Sequence, residues 1–188
     1  RSGALLGEAD GASDAFAQID ALAAAHPEEP ALEGLRTDAA LALLELGRSA
    51  LAAEDFQRVE QVLERGRTRG VAVGELDRLT ADLAYRRHLA DFARGEWTLR
   101  AISDLTVLEQ VAPTYPDRAT RVSGGWVDLE FTVGADGRVR DPRVLDASAR
   151  VFVNPSLDAL ERWRFQPERV GGRAVPMRAV LRFTFRSS

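Results

Sequence analysis

The spacing of apolar residues changes period part-way along the chain, and that change limits the folds open to it. From residue 10 to about 95 apolar residues recur at helical spacing. The stripes are Phe16, Ile19 and Leu22; then Leu32, Leu35, Ala39 and Leu43; then Phe56, Val59 and Leu63; then Leu76, Leu79, Leu83 and Ala90. After Val127 they alternate. Val127, Leu129, Phe131 and Val133 share one side of "WVDLEFTV". In the closing stretch "AVPMRAVLRFTFRSS", Met177, Ala179, Leu181, Phe183 and Phe185 fall on one side, and Arg178, Val180, Arg182, Thr184 and Arg186 on the other. The reading is α+β: an all-α module with its linker over residues 1–100, then a small strand-rich domain over 101–188.

Charge divides in the same place. Residues 1–96 hold 11 Arg against 18 acidic residues, a net of −7, while residues 97–188 hold 14 Arg against 11, a net of +3. The overall charge of −4 argues against a nucleic-acid binder, whose affinity comes largely from neutralised phosphates. Cys is absent, which excludes disulfides and thiolate metal sites. No apolar run approaches the ~18 residues of a membrane span. The only Met is Met177, so the sequence is expected to be a processed or truncated piece whose upstream signal or anchor has been removed.

Within the helical module, Pro27 and Pro30 of "HPEEP" stop the first segment, and Gly70 and Gly74 separate the last two. "SDAFAQIDAL" echoes "AEDFQRVEQVL", and "LRTDAAL" echoes "LTADLAY". The offset of roughly 40 residues points to two stacked helical hairpins, TPR-like in manner only. Two hairpins are fewer than the ~3 repeats such arrays need, so the module is expected to lean on other surfaces.

In the second module, Val107 to Val111 read as extended. "GADG" turns one strand into the next, with Asp136 and Gly137 offered as the positive-φ positions of a hairpin. Pro142 cannot donate to a ladder, which assigns the second strand to a sheet edge. "NPSLDALERWRF" reads as a helix capped by Asn154, with Pro155 in its first position and Leu157, Leu160 and Trp163 buried. The last strand is then expected to form the other edge, with a row of unpaired backbone groups.

"YPDRA", "GGWVDLEFTVGADGRVRDPRVLDAS", "ALERWRFQP" and "GGRAVPMRAVLRFTF" occur in this order over residues 113–186. Together they resemble the C-terminal domain of the TonB family of energy transducers. Pro142 stands where that family more often has Val, and Ala174-Val175-Pro176 replaces its common Pro-Val. The resemblance implies a three-stranded antiparallel sheet with one packed helix. It also implies a periplasmic location and an inner-membrane anchor outside this sequence. The implied partners are a TonB-dependent outer-membrane transporter, whose TonB-box peptide adds to the terminal strand, and the proton-driven motor proteins of the inner membrane. The implied task is siderophore or vitamin uptake. Partner-binding residues are then Met177, Arg178, Ala179, Val180, Leu181, Arg182, Phe183, Thr184 and Phe185, with Tyr115 and Pro116 alongside.

Strand addition draws affinity from main-chain hydrogen bonds, and the Arg residues of the strand's polar face would favour an acidic or polar peptide. Edge-to-edge homodimerisation stays open, and so does a scaffold role resting on the helical module. Trp163 and Phe165 of "RWRF" read as structural anchors. His26 and His88 have no nearby companion ligand, and Asp10 and Asp14 lack the spacing of a calcium loop. Gly171-Gly172 precedes a strand, so it is not a phosphate cradle, and "RGRTRG" reads as a solvated turn. No nucleophile–base pair emerges. The expectation is a binding protein without a cofactor, not an enzyme.

Overall fold

A computed structural model of the chain describes residues 6–116 and 124–186, with side chains from residue 15 onward. The side chains of Asp10 and Asp14, and residues Asp117, Arg118 and Ala119 of the "YPDRA" motif, lie outside the described residues. The chain divides into two compact units between Arg87 and His88.

The first unit is helical: α1 (Leu6–Ala25), α2 (Leu32–Ala52), α3 (Phe56–Thr68) and α4 (Val73–Arg94), whose last residues belong to the second unit. Pro27 and Pro30 fall between α1 and α2, where the chain cannot continue as helix. Asp55 caps α3, its carboxylate accepting the Arg58 N–H at 3.1 Å. The predicted stripes form the core, with Phe16, Ile19, Leu43, Val59, Leu63, Leu76, Leu79 and Leu83 all buried. Each such side chain contributes roughly 1.5–3 kcal/mol by leaving water. Leu35 departs from expectation, because it is 40% exposed and lines a cleft between α1 and α2. Gly47 sets the approach of α2 to its neighbours: a Cβ there would lie 2.7 Å from Leu79 and 2.9 Å from Val62.

The second unit carries β1 (Arg100–Ala101), β2 (Val107–Glu109), β3 (Gly124–Val133) and β4 (Val139–Ala147). Then come α5 (Val153–Leu160), β5 (Arg164–Phe165), β6 (Glu168–Val170), β7 (Arg173–Val175) and β8 (Met177–Arg186). The main sheet has the order β1-β8-β3-β4; β2 with β5 and β6 with β7 make two small ribbons. The antiparallel three-stranded sheet β4-β3-β8 and its packed helix are as expected, and α+β is the class. On its inner face Val127, Leu129, Phe131 and Val133 of β3 meet Ala179, Leu181, Phe183 and Phe185 of β8, with Phe152, Leu160, Trp163 and Phe165 closing the core.

The structure corrects three expectations here. The last strand is not itself an edge, because β1 pairs with it in parallel through Arg100↔Ala179 and Ala101↔Val180. The extended residues after Gly95 supply this extra strand, and two residues are too short to show a period. Asn154 does not cap α5. A 3-10 turn over Arg150–Phe152 runs straight into the helix, so the N-cap is Phe152, with no side-chain cap bond. In the hairpin only Gly137 takes positive φ, at 75°, while the Asp136 carboxylate instead accepts the Arg138 N–H at 3.1 Å.

Pro142 does mark an edge strand. β4 lies outermost, Asp141 before the proline has φ 48°, and the pairing with β3 shifts register twice.

Gly137 is also held by contact. The Phe165 N–H donates to its carbonyl at 2.9 Å, and a Cβ on Gly137 would sit 2.2 Å from the Phe165 carbonyl oxygen. Gly172 has a similar φ of 78° but nothing within 4 Å of its Cβ position. Gly172→Ala should therefore cost only the backbone term, about 1–2 kcal/mol, and Gly137→Ala about 2–4 kcal/mol. Urea unfolding followed by tryptophan fluorescence measures both, because all 3 Trp residues lie in this unit.

Candidate functional site

Strand β8 is the element on which the expected binding residues converge. One side of its backbone is committed along its whole length, from Gly124↔Arg186 to Val133↔Met177 on β3. The other side is paired only at Ala179 and Val180, by β1. After Ala101 the chain turns away into a 3-10 helix over Ile102–Asp104. Among the described residues, Leu181–Arg186 therefore has no strand partner on its outer side. Half the backbone groups of that run point away from β3, as the geometry of a ladder requires.

The inner side chains of this run are anchors and not free contacts. Phe183 meets Trp163 edge-on at 5.5 Å, and Phe185 stacks on Phe152 at 4.5 Å. The Trp163 indole N–H donates to the Val111 carbonyl at 2.8 Å, which ties the loop before β3 to the core. That loop brings Tyr115 to the far end of β8, half-buried, with its ring 6.3 Å from Phe185 and 5.8 Å from Phe152. Pro116 follows it, also half-buried. The structure thus brings Tyr115 together with the end of the open run. Met177 and Arg178 lie at the other end, both buried.

The polar face differs from the sequence expectation. Arg178 is only 7% exposed; its guanidinium donates to Glu130 at 3.0 Å and to the Thr132 hydroxyl at 3.0 Å, and lies 5.2 Å from the Trp97 ring. Arg182 makes two bonds of 2.6 Å to the Asp128 carboxylate and covers the Trp126 ring at 4.2 Å. Both arginines are engaged by β3 carboxylates across the ladder, so they do not stand ready for an acidic peptide. The partners lie about 50 positions earlier in sequence, where side-chain periodicity cannot reveal them. Sequence reasoning also missed Trp97 and Arg100. The only signal was the brief alternation of "WTLR". His88 has a structural partner, its Nε2–H donating to the Pro176 carbonyl at 2.8 Å.

A family model described as Gram-negative bacterial TonB protein C-terminal matches residues 111–187, which span the Tyr115 loop, β3, β4, α5 and β8. The C-terminal unit belongs to the TonB C-terminal domain family. The curated Protein TonB of Pseudomonas aeruginosa is 36% identical over 86 residues, 45% of this chain and 25% of that protein. The match therefore spans a quarter of that relative's length. Among solved structures, the solution NMR structure of the Pseudomonas aeruginosa TonB C-terminal domain is 33% identical. It covers 47% of this chain and 93% of its own, with a TM-score of 0.40. The TonB2 protein of Vibrio anguillarum is 32% identical over 44% of this chain and 81% of its own, with a TM-score of 0.35.

In this TonB domain the Asp128–Arg182 pair sets a local pH response. The Arg182 hydrogen bonds hold the Asp128 carboxyl below the usual carboxylate range. A depressed carboxylate contributes stability that is present above its unfolded pKa and lost as pH falls through its folded one. Stability from this pair should therefore persist at pH 5 and disappear under stronger acid, below about pH 4. In Arg182→Ala the Asp128 titration should move back upward, as read by NMR of its side-chain carboxyl carbon.

Proposed function

We propose that this chain is the periplasmic part of a TonB-family energy transducer. Its edge at Leu181–Arg186 captures the TonB-box peptide of an outer-membrane transporter. The observation that carries the reading is the six-residue run of β8 that, among the described residues, has no strand partner beside β1. A six-residue edge offers about six main-chain bonds, at roughly 0.5–1.5 kcal/mol each. Less the cost of ordering the peptide, this supports affinity of about micromolar or weaker. Such a partner can be grasped and released. Tyr115 and Pro116 flank the end of that run, and Met177–Val180 lie at its start.

In this reading the pull originates at the proton-driven motor of the inner membrane and reaches the domain through an anchor outside this sequence. The cargo class is the siderophores and vitamins of TonB-dependent uptake. Among the described residues no helix is long and apolar enough to cross a membrane. The domain is a binding element and carries no catalytic task; the helical unit that ends at Arg87 is its partner module.

One observation favours a second reading, a scaffold that binds through its helices. The cleft between α1 and α2 measures about 420 Å³ and is lined by Ile19, Leu22, Leu35 and Ala39. An apolar cleft with Leu35 exposed at its rim fits a helix-in-groove contact.

Titration of the isotope-labelled chain with a TonB-box peptide separates the two. The transducer reading expects amide shifts on Leu181–Arg186 and Tyr115 with about micromolar affinity. Shifts confined to residues 15–87 would replace it with the scaffold.

A further inference from the structure

Strand β1 sits on the same side of β8 that the proposed function assigns to a guest peptide. It covers Ala179 and Val180 and stops, so it divides a ten-residue strand into a covered start and an open end. Its hold is slight. Two paired residues give about two hydrogen bonds, each worth roughly two- to tenfold in an equilibrium constant. Every residue from Ala93 to Ala101 is exposed.

The segment packs loosely on both flanks. One cleft of about 200 Å³ lies between it and His88, Phe92 and Trp97, and another of about 330 Å³ lies toward Leu105 and Pro167. Arg100, Glu168 and Met177 border both clefts. Its side-chain attachments include the Arg100–Glu168 ion pair at 3.0 Å, with Arg100 46% exposed, and Trp97, which packs against Arg178 and lies 5.2 Å from the Phe92 ring. Upstream, Gly95 takes φ 81° directly after α4, a conformation that lets the segment leave the helix end at a sharp angle. A strand with weak pairing, open flanks and a glycine at its root is built to come off.

We infer that β1 is a displaceable latch on the peptide edge: it limits a resident peptide to Leu181–Arg186, and a longer peptide gains the first four residues of β8 only by expelling it. This rests on the strand-addition reading of β8. The latch is part of the chain, so it competes at a fixed effective concentration and selects guests by length. Peptides of six residues fill the open run and ignore it. Peptides of ten residues must exchange with it.

The test uses the absence of native cysteine. Paired backbones lie about 4.8 Å apart, inside the roughly 4.4–6.8 Å that a disulfide spans. The double variant Ala101→Cys/Val180→Cys can therefore lock β1 in place on oxidation. With a ten-residue TonB-box peptide, the oxidised protein should bind about tenfold more weakly than the same protein after reduction. The six-residue version should bind both forms alike. Independently, Trp97→Ala/Arg100→Ala should bind the ten-residue peptide about three- to tenfold more tightly than the native chain.

Equal affinity of oxidised and reduced protein for the ten-residue peptide, with β8 amides still shifting, overturns the latch and leaves strand addition standing. So does a Trp97→Ala/Arg100→Ala protein that binds no more tightly. Peptide that shifts no β8 amide in any form removes the strand-addition reading itself, and the latch with it.

Discussion

A strand that is hydrogen-bonded along one side must still satisfy the backbone groups on its other side. That constraint organises the whole C-terminal unit. β8 cannot leave the sheet, because its inner side chains fill the core from Met177 to Phe185 and β3 holds it over ten residues. Its outward N–H and C=O groups therefore stay in a fixed row. Water solvates such groups, and so does another strand; hydrocarbon does not. Which of the first two does so at each position decides what the edge can bind.

The two sides of the sheet meet this constraint differently. β4 is spoiled as a template: Pro142 removes a donor, Asp141 takes a left-handed conformation, and two register shifts bend the strand. β8 has none of these features. It is straight in register from end to end against β3, and from Leu181 onward its buried and exposed residues alternate. A long regular edge invites uncontrolled pairing unless something occupies it. β1 covers part of it, while Tyr115 packs at the end by Phe185. One edge is closed by distortion and the other is covered by β1 over two residues, an asymmetry that suits the proposed strand addition.

Much of this was legible in the sequence, because period and turn chemistry are local. Alternation located β3 and β8, Pro142 located the outer strand, and the helical stripes named most of the first core. The misreadings share one physical cause. Arg178 looked exposed because alternation assigns a face and says nothing of what covers that face. Its partners are Glu130 and Thr132 from β3, together with Trp97. β1 was invisible because pairing of two residues needs no periodic pattern, only a nearby edge. Asn154 looked like a cap because the 3-10 turn ahead of α5 leaves no sequence signature as strong as Asn-Pro. Leu35 fell on a correct helical face, yet nothing described packs over it fully.

The engagement of the arginines changes what kind of selectivity the edge can have. Arg182 is clamped between Asp128 and Trp126, and Arg178 between Glu130 and Trp97, so turning either toward a guest would strand a β3 carboxylate. Breaking a pair by withdrawing one partner costs more than the pair contributes, most of all where the remaining charge is buried, as beside Arg178. Charge on the peptide therefore gains little from the central part of the sheet. What remains to discriminate guests is the number of backbone bonds they can make and the fit of alternate side chains against a strand whose own inner face is full. An edge of this kind reads extension and length before it reads sequence. The proposed transducer role calls for that property, since it needs a segment held firmly enough to pull and loosely enough to release.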